Sequence, residues 1–218
     1  MHALVIGATG ATGKDLLELL LKDDSFHQVD IFVRRNLVIK DSKLKVHVID
    51  FDKPEQWKHL VKGDVLFSCL GTTLKVAGSK EAQWKVDYEY QYQFAKYARE
   101  NNVNNYVLVS SGYSSPNSLF FYTRMKGQLE EDIKALQFPK LTIFNPPLLI
   151  RKNTDRTMEA ISFKVIQFVN KIGIFRSQKP LATDKLAQAM INSAKTKESG
   201  VFTLQGKSIW ECAEANYE

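Results

Sequence analysis

Residues 7–13 read Gly7-Ala8-Thr9-Gly10-Ala11-Thr12-Gly13, a run of small residues between the apolar stretch Ala3-Leu4-Val5-Ile6 and the helical pattern that starts Lys14-Asp15-Leu16-Leu17. A short apolar run bounded by glycine reads as a buried strand, and the leucine-rich stretch after it as one face of a helix. A tight strand-to-helix turn calls for glycine, which adopts positive φ without steric cost and lets other backbone come close. The run is either a plain turn or a turn with a ligand at its tip, and the rest of the chain decides between them.

Outward from this run the pattern repeats. Ala3 to Ile6, Val29 to Val33, Leu44 to Ile49, Val65 to Leu70, Tyr106 to Val109 and Leu141 to Phe144 are short, mainly Val, Ile, Leu or Phe, and read as buried strands. Between them Lys14 to Lys22, Pro54 to Val61, Lys80 to Asn101 and Phe120 to Leu136 space their apolar residues as helices with one buried face. Alternating helices and near-continuous apolar strands predict an α/β fold, a Rossmann-type doubly wound parallel sheet with helices on both faces.

After Pro146-Pro147 the pattern weakens into a basic segment through Arg156, helices near Glu159 to Lys171 and Thr183 to Lys195, and a strand Val201 to Leu204. This tail reads as an extension of the sheet. The expectation is one domain over 1–218, with its core in 1–150 and a small substrate-side extension in 151–218.

Composition narrows the function. Apolar residues make up 44% of the 218 and charged residues 25%, and no stretch of about 18 uncharged apolar residues occurs, so no membrane span is expected. The start of the chain lacks the basic, apolar and small-residue segments of a secretory signal. The two cysteines, Cys69 and Cys212, stand far apart without CxxC or histidine spacing, which argues against a disulfide framework or a metal site. A cytoplasmic protein is the expectation. The net charge of +6 comes without any block of five or six basic residues, which reads as a solvated surface with no nucleic-acid partner.

In a doubly wound sheet, ligands bind beyond the carboxyl ends of the strands, where the first strand-helix turn presents free amides and the positive end of a helix. Glycines at 7, 10 and 13 form GxxGxxG, a variant of the dinucleotide fingerprint. Gly7 would make the turn, Gly10 would let the backbone approach a pyrophosphate, and Gly13 would pack the helix on the strand, while Thr9 and Thr12 offer hydroxyls and Ala11 completes the loop. The second strand then ends in Arg34-Arg35, where an acidic residue would accept the ribose of NAD. Two guanidinium groups there suit the extra phosphate of NADP. Asp50 and Phe51 end the third strand where an adenine is expected, and Cys69, Leu70, Gly71 and Thr72 end the fourth beside the cofactor, with Cys69 a small buried residue more than a nucleophile.

The fifth strand ends in Ser110-Ser111, and the next helix carries Tyr122 and Lys126, four residues apart and so one turn apart on one stripe with Leu129 and Ile133. A phenol near pKa 10 becomes a useful acid or base at neutral pH when a cation beside it lowers that value. Lys126 supplies the cation, Tyr122 the proton, and Ser111, with Ser110 the alternative, a hydroxyl to polarise a carbonyl.

The set GATGATG, Arg34-Arg35, Ser110-Ser111 and Tyr122 with Lys126 resembles the short-chain dehydrogenase/reductase superfamily. The stretches Cys69-Leu70-Gly71-Thr72-Thr73, Lys85-Val86-Asp87, Tyr122-Thr123-Arg124-Met125-Lys126-Gly127 and Phe144-Asn145-Pro146-Pro147 are similar to the Tat-interacting-protein oxidoreductases. The resemblance implies NADP(H) in preference to NAD(H), Tyr122 as acid/base, Lys126 on the nicotinamide ribose, Pro146 near the nicotinamide, and a small carbonyl or alcohol substrate. Many superfamily members carry asparagine where this chain has Asp87. The alternative is a regulator similar to NmrA-like proteins, which senses NADP(H), meets a protein partner and turns nothing over.

Overall fold

The computed structural model describes residues 1–150 and 180–215. In chain order, β1 (His2–Ile6), α1 (Ala11–Lys22), β2 (Gln28–Val33), β3 (Leu44–Val48) and β4 (Val65–Ser68) come first. Then follow α2 (Leu74–Ala77), α3 (Lys80–Trp84), a π turn (Lys85–Glu89), α4 (Tyr90–Glu100), β5 (Asn105–Val109), α5 (Phe121–Ala135) and β6 (Lys140–Asn145). After β7 (Leu149–Ile150), the second described stretch holds β8 (Leu181–Ala182), α6 (Thr183–Lys195), β9 (Gly200–Gln205) and α7 (Lys207–Glu214).

Seven strands pair in parallel in the order β3-β2-β1-β4-β5-β6-β9, and β7 pairs with β8 in a separate two-stranded ladder. Every residue of β4 and β6 is buried, because helices cover both sheet faces, and this is why those strands read as unbroken apolar runs. One face packs Leu16, Leu20, Leu186 and Met190 of α1 and α6 on the sheet. The other packs Phe94, Ala98, Leu129 and Ile133 of α4 and α5. The strand order reverses between β1 and β4, so the carboxyl ends of these two strands open the crevice where this architecture binds ligands.

One expectation changes. Pro54 to Val61 is not one helix but two 3-10 turns, Pro54–Gln56 and Lys58–Leu60. Trp57 turns into the core, stacks 4.2 Å from the Phe94 ring and donates its indole N–H to the Asp50 carbonyl at 2.8 Å, which takes the chain off a helical path. Lys80 to Glu100 is helical as expected, with the π turn inside it, whose wider winding brings Asp87 fully inside. The strand expected near Val201 joins the main sheet beside β6, and α7 follows it unforeseen. The helix expected over 159–171 lies outside the described residues.

Among the described residues, no helix is long and apolar enough to cross a membrane, and no group of three or more His, Cys, Asp or Glu is placed to hold a metal ion.

Candidate functional site

Ile6 of β1 pairs with Ser68 of β4, so Gly7 and Cys69 leave the sheet side by side. Gly7 has φ +81°, and a Cβ on it would lie 2.4 Å from the Cys69 carbonyl carbon. A Cβ on Gly13 would lie 2.1 Å from the Gly7 carbonyl oxygen, so the first turn of α1 packs directly on the strand end. The Gly10 N–H donates to the Gly7 carbonyl at 2.9 Å, closing the turn. Gly10 is the N-cap of the 12-residue α1; no side chain caps the helix and no acidic residue stands in its first turn. Backbone amides at such an uncapped helix start, with the positive helix end, are of the kind that attracts anions.

A cavity of about 460 Å³ opens over this turn. Gly7, Thr9 and Gly10 form its floor, Arg34 and Phe51 come from the ends of β2 and β3, and Cys69, Leu70, Gly71 and Thr72 form the wall beyond β4. Burial pushes the Cys69 thiol up to about 12, which removes it as a nucleophile at neutral pH. Ala11, Thr12 and Gly13 lie in the first turn of α1 outside the lining, with Thr12 buried. Arg35 is exposed and also outside the lining.

Asp50 lies outside as well, because its carboxylate accepts the Asp52 N–H at 3.0 Å and meets Lys53 at 3.6 Å. Asp52, also outside the lining, is the acid bonded to it: it pairs with Lys85 at 2.7 Å and accepts the Tyr90 hydroxyl at 2.9 Å. Lys85 and Tyr90 both line the cavity and were not expected there. The hydrogen bond from Lys85 holds the Asp52 carboxyl below the usual carboxylate range.

A second cleft of about 420 Å³ adjoins the first, and Thr72 stands in the wall of both. Tyr122, 39% exposed, lines it with Thr73, Lys80, Gln83 and Phe121. One turn along α5, Lys126 is buried, with its Nζ 3.5 Å from Asp87 Oδ1. Asp87 Oδ2 accepts the Thr72 N–H at 2.8 Å. Burial pushes the Asp87 carboxyl up, opposed by the Lys126 charge and the Thr72 amide.

The two serines part company. Ser110 is buried and donates to Glu130, which also accepts from Ser114. Asn145 Nδ2 donates to Ser114 Oγ at 2.7 Å and to Glu130 at 3.1 Å, completing a buried network. Ser111 is only half-buried, and its hydroxyl donates to the neighbouring Gly112 carbonyl at 3.2 Å. Pro146 lies outside both clefts, its carbonyl accepting the Gly112 N–H at 3.0 Å.

Gly127 lets the loop after Ser111 lie against α5, since a Cβ there would meet the Ser115 carbonyl carbon at 2.2 Å. Asp87 meets Thr72 and Lys126, and Glu130 meets Ser110 and Asn145; none of Asp87, Glu130 and Asn145 was among the expected site residues. The traceable signal was Glu130, which continues the Tyr122 and Lys126 stripe one turn further.

A model of NAD(P)H-binding proteins matches residues 7–161. The chain belongs to the NAD(P)H-binding family. Among relatives of this NAD(P)H-binding protein, "Protein FMP52, mitochondrial" of Meyerozyma guilliermondii is 33% identical over 224 aligned positions, covering 98% of this chain and 96% of that protein. The oxidoreductase ylbE from Lactococcus lactis superposes with a TM-score of 0.71 at 19% identity, over 98% of this chain and 95% of that one. MoeE5 in complex with UDP-glucose and NAD gives 0.71 at 15% identity, over 94% and 75%. The two structures show a shared Rossmann fold.

The relatives correct the cytoplasmic expectation, because FMP52 proteins are named mitochondrial. Two cysteines without disulfide or metal spacing do not choose among reducing compartments.

Proposed function

We propose that this chain is an NADP(H)-dependent oxidoreductase of the short-chain dehydrogenase/reductase type, acting on a small carbonyl or alcohol. The observation that carries the proposal is Thr72, which stands in the wall of both the glycine-floored cavity and the Tyr122 cleft, with Asp87 and Lys126 directly behind it.

The chain fits the cofactor. The uncapped start of α1 and the side-chain-free Gly7 and Gly10 suit a pyrophosphate, the mutually packed Phe51 and Tyr90 rings, centroids 5.0 Å apart, line the cavity where a base would lie, and Arg34 suits a ribose phosphate. When bound, the nicotinamide supplies or accepts the hydride. Tyr122 holds the proton that the substrate oxygen gains or loses, Lys126 provides the cation that favours the phenolate, and Ser111 donates a hydrogen bond to the same oxygen. Ser110, committed to Glu130, keeps the loop in place. The mitochondrial naming of the relatives extends to this chain as part of the same reading.

Cofactor titration tests the proposal before any substrate is known. NADPH should bind more tightly than NADH, and Arg34→Ala should weaken NADPH about tenfold or more while sparing NADH, the loss of one charge-assisted hydrogen bond. Equal affinities in the unaltered chain would refute the role of Arg34. A carbonyl panel then separates turnover from sensing: Tyr122→Phe should abolish NADPH consumption, and binding without any consumption would favour the NADP(H)-sensing regulator.

A further inference from the structure

Lys126 is 2% exposed and Asp87 fully buried, and each comes from a different helical segment. A buried ammonium and a buried carboxylate are each costly without the other. Asp87 Oδ1 accepts no hydrogen bond; it faces the Lys126 ammonium at 3.5 Å and the Cα of Gly71, where a Cβ would come within 3.6 Å. The other oxygen, Oδ2, is taken by the Thr72 N–H. One carboxylate therefore spans α5 and the turn that walls both clefts.

The scaffold behind it is firm. Gln91 Nε2 donates to the Asp87 carbonyl at 2.6 Å, and Ser68 at the end of β4 donates to Gln91 Oε1 at 2.7 Å. The π turn, with Asp87 at its middle, is the local winding that aims the carboxylate inward.

We infer that Asp87 is a positioning residue: it holds the Lys126 ammonium against the Gly71–Thr72 turn, so that the lysine and the cofactor-side wall are set as one unit. This rests on the reading of Lys126 as the lysine of an oxidoreductase site. An asparagine at 87 would keep the Thr72 hydrogen bond and lose the ion pair, so Asp87→Asn separates holding the turn from holding the lysine.

The test is trace acetylation with acetic anhydride at neutral pH, read lysine by lysine by mass spectrometry on the whole chain. In Asp87→Asn, Lys126 should label about tenfold faster relative to exposed Lys80, within the coupling expected of residues in direct contact. Lys140, buried and donating to Thr196 Oγ1 at 2.7 Å, should stay slow and reports that the fold is intact. Unchanged Lys126 labelling with slow Lys140 overturns the inference.

If Lys140 labels fast too, the variant has unfolded, and thermal melting decides. The double variant Asp87→Asn with Lys126→Met should melt higher than Asp87→Asn alone, because it leaves no unpaired buried charge; a double variant melting no higher overturns the inference. NADPH titration of the unaltered chain is a separate arm. Its failure would remove the proposed function, while labelling judges the Asp87 and Lys126 tie on its own.

Discussion

Gly127→Ala sets two effects of opposite sign against each other. Gly127 is buried inside α5, and in an isolated helix alanine would stabilise by about 1 kcal/mol over glycine. In the folded chain the added Cβ would stand 2.2 Å from the Ser115 carbonyl carbon, 2.4 Å from Pro116 N and 2.6 Å from Ser115 Cα. Ordinary carbon contacts are about 3.5 Å or longer, so the loop must retreat by roughly 1.3 Å, and all three obstacles are backbone atoms with no rotamer to change. Overpacking of this kind costs about 1–3 kcal/mol, and rigid backbone on one side puts this case at the upper end.

The net expectation is a loss of about 1–2 kcal/mol. At this chain length that lowers the melting temperature by about 2–8 °C in a thermal scan. The displaced segment starts at Ser111, so carbonyl turnover should fall steeply while NADPH titration stays unchanged, the glycine-floored cavity being on the far side of Thr72. A higher melting temperature with normal turnover would refute the reasoning, since it would mean that helix propensity outweighs the contact.

Asp30 is buried within β2, between β1 and β3, and accepts from His2 at 2.8 Å, His47 at 2.6 Å and Gln28 at 2.7 Å. Burial alone would raise its carboxyl, but these hydrogen bonds outweigh it and hold the group well below the usual carboxylate range. A folded pKa below the unfolded 3.8 gives stability present above that value and lost as pH falls through the folded one. Asp30→Asn should therefore melt lower at neutral pH by about 1–3 kcal/mol, with the gap closing below about pH 4; parallel melting curves across pH would contradict the assignment. Cys69, with its thiol raised to about 12, should hold roughly one part in ten thousand thiolate at pH 8 and resist iodoacetamide in the native state. Labelling of native protein as fast as that of a free thiol would show the side chain to be accessible.

How far the sequence reached follows from the range of the signals. Strands buried on both faces leave an apolar run that needs no partner to be recognised, so β1, β2, β4, β5 and β6 were legible within a residue or two of their ends. The Pro54 to Val61 segment was not, because its apolar spacing is helical while its conformation follows from Trp57 reaching Phe94, 37 positions on. The π turn was invisible for a related reason. Its residues Lys85 to Glu89 sit inside a run with helical spacing, and one extra residue in the winding leaves no mark on composition.

The site shows the same division at finer scale. Tyr122 and Lys126 are one helical turn apart, so their spacing alone puts them on one stripe. Arg34 follows from lying at a strand end, whereas Asp50 and Asp52 sit two positions apart beyond another strand, and only the path of the turn gives Asp52 the lining residues Lys85 and Tyr90 and leaves Asp50 with Lys53. Ser110 and Ser111 look alike in the sequence, and what separates them is Glu130, 20 residues away, which takes Ser110, while Ser111 bonds its neighbour Gly112 and neither lines a cleft. Asp87 is the sharpest case. Its motif position marks it as the place of an asparagine, yet its partner Lys126 stands 39 residues further along, and no spacing rule links a π turn to a helix that the chain reaches only after another strand. A charge that would be a liability at 0% exposure becomes intelligible only beside the ammonium it faces, and so the residue that departs from the superfamily pattern is the one that says most about how this chain holds its lysine.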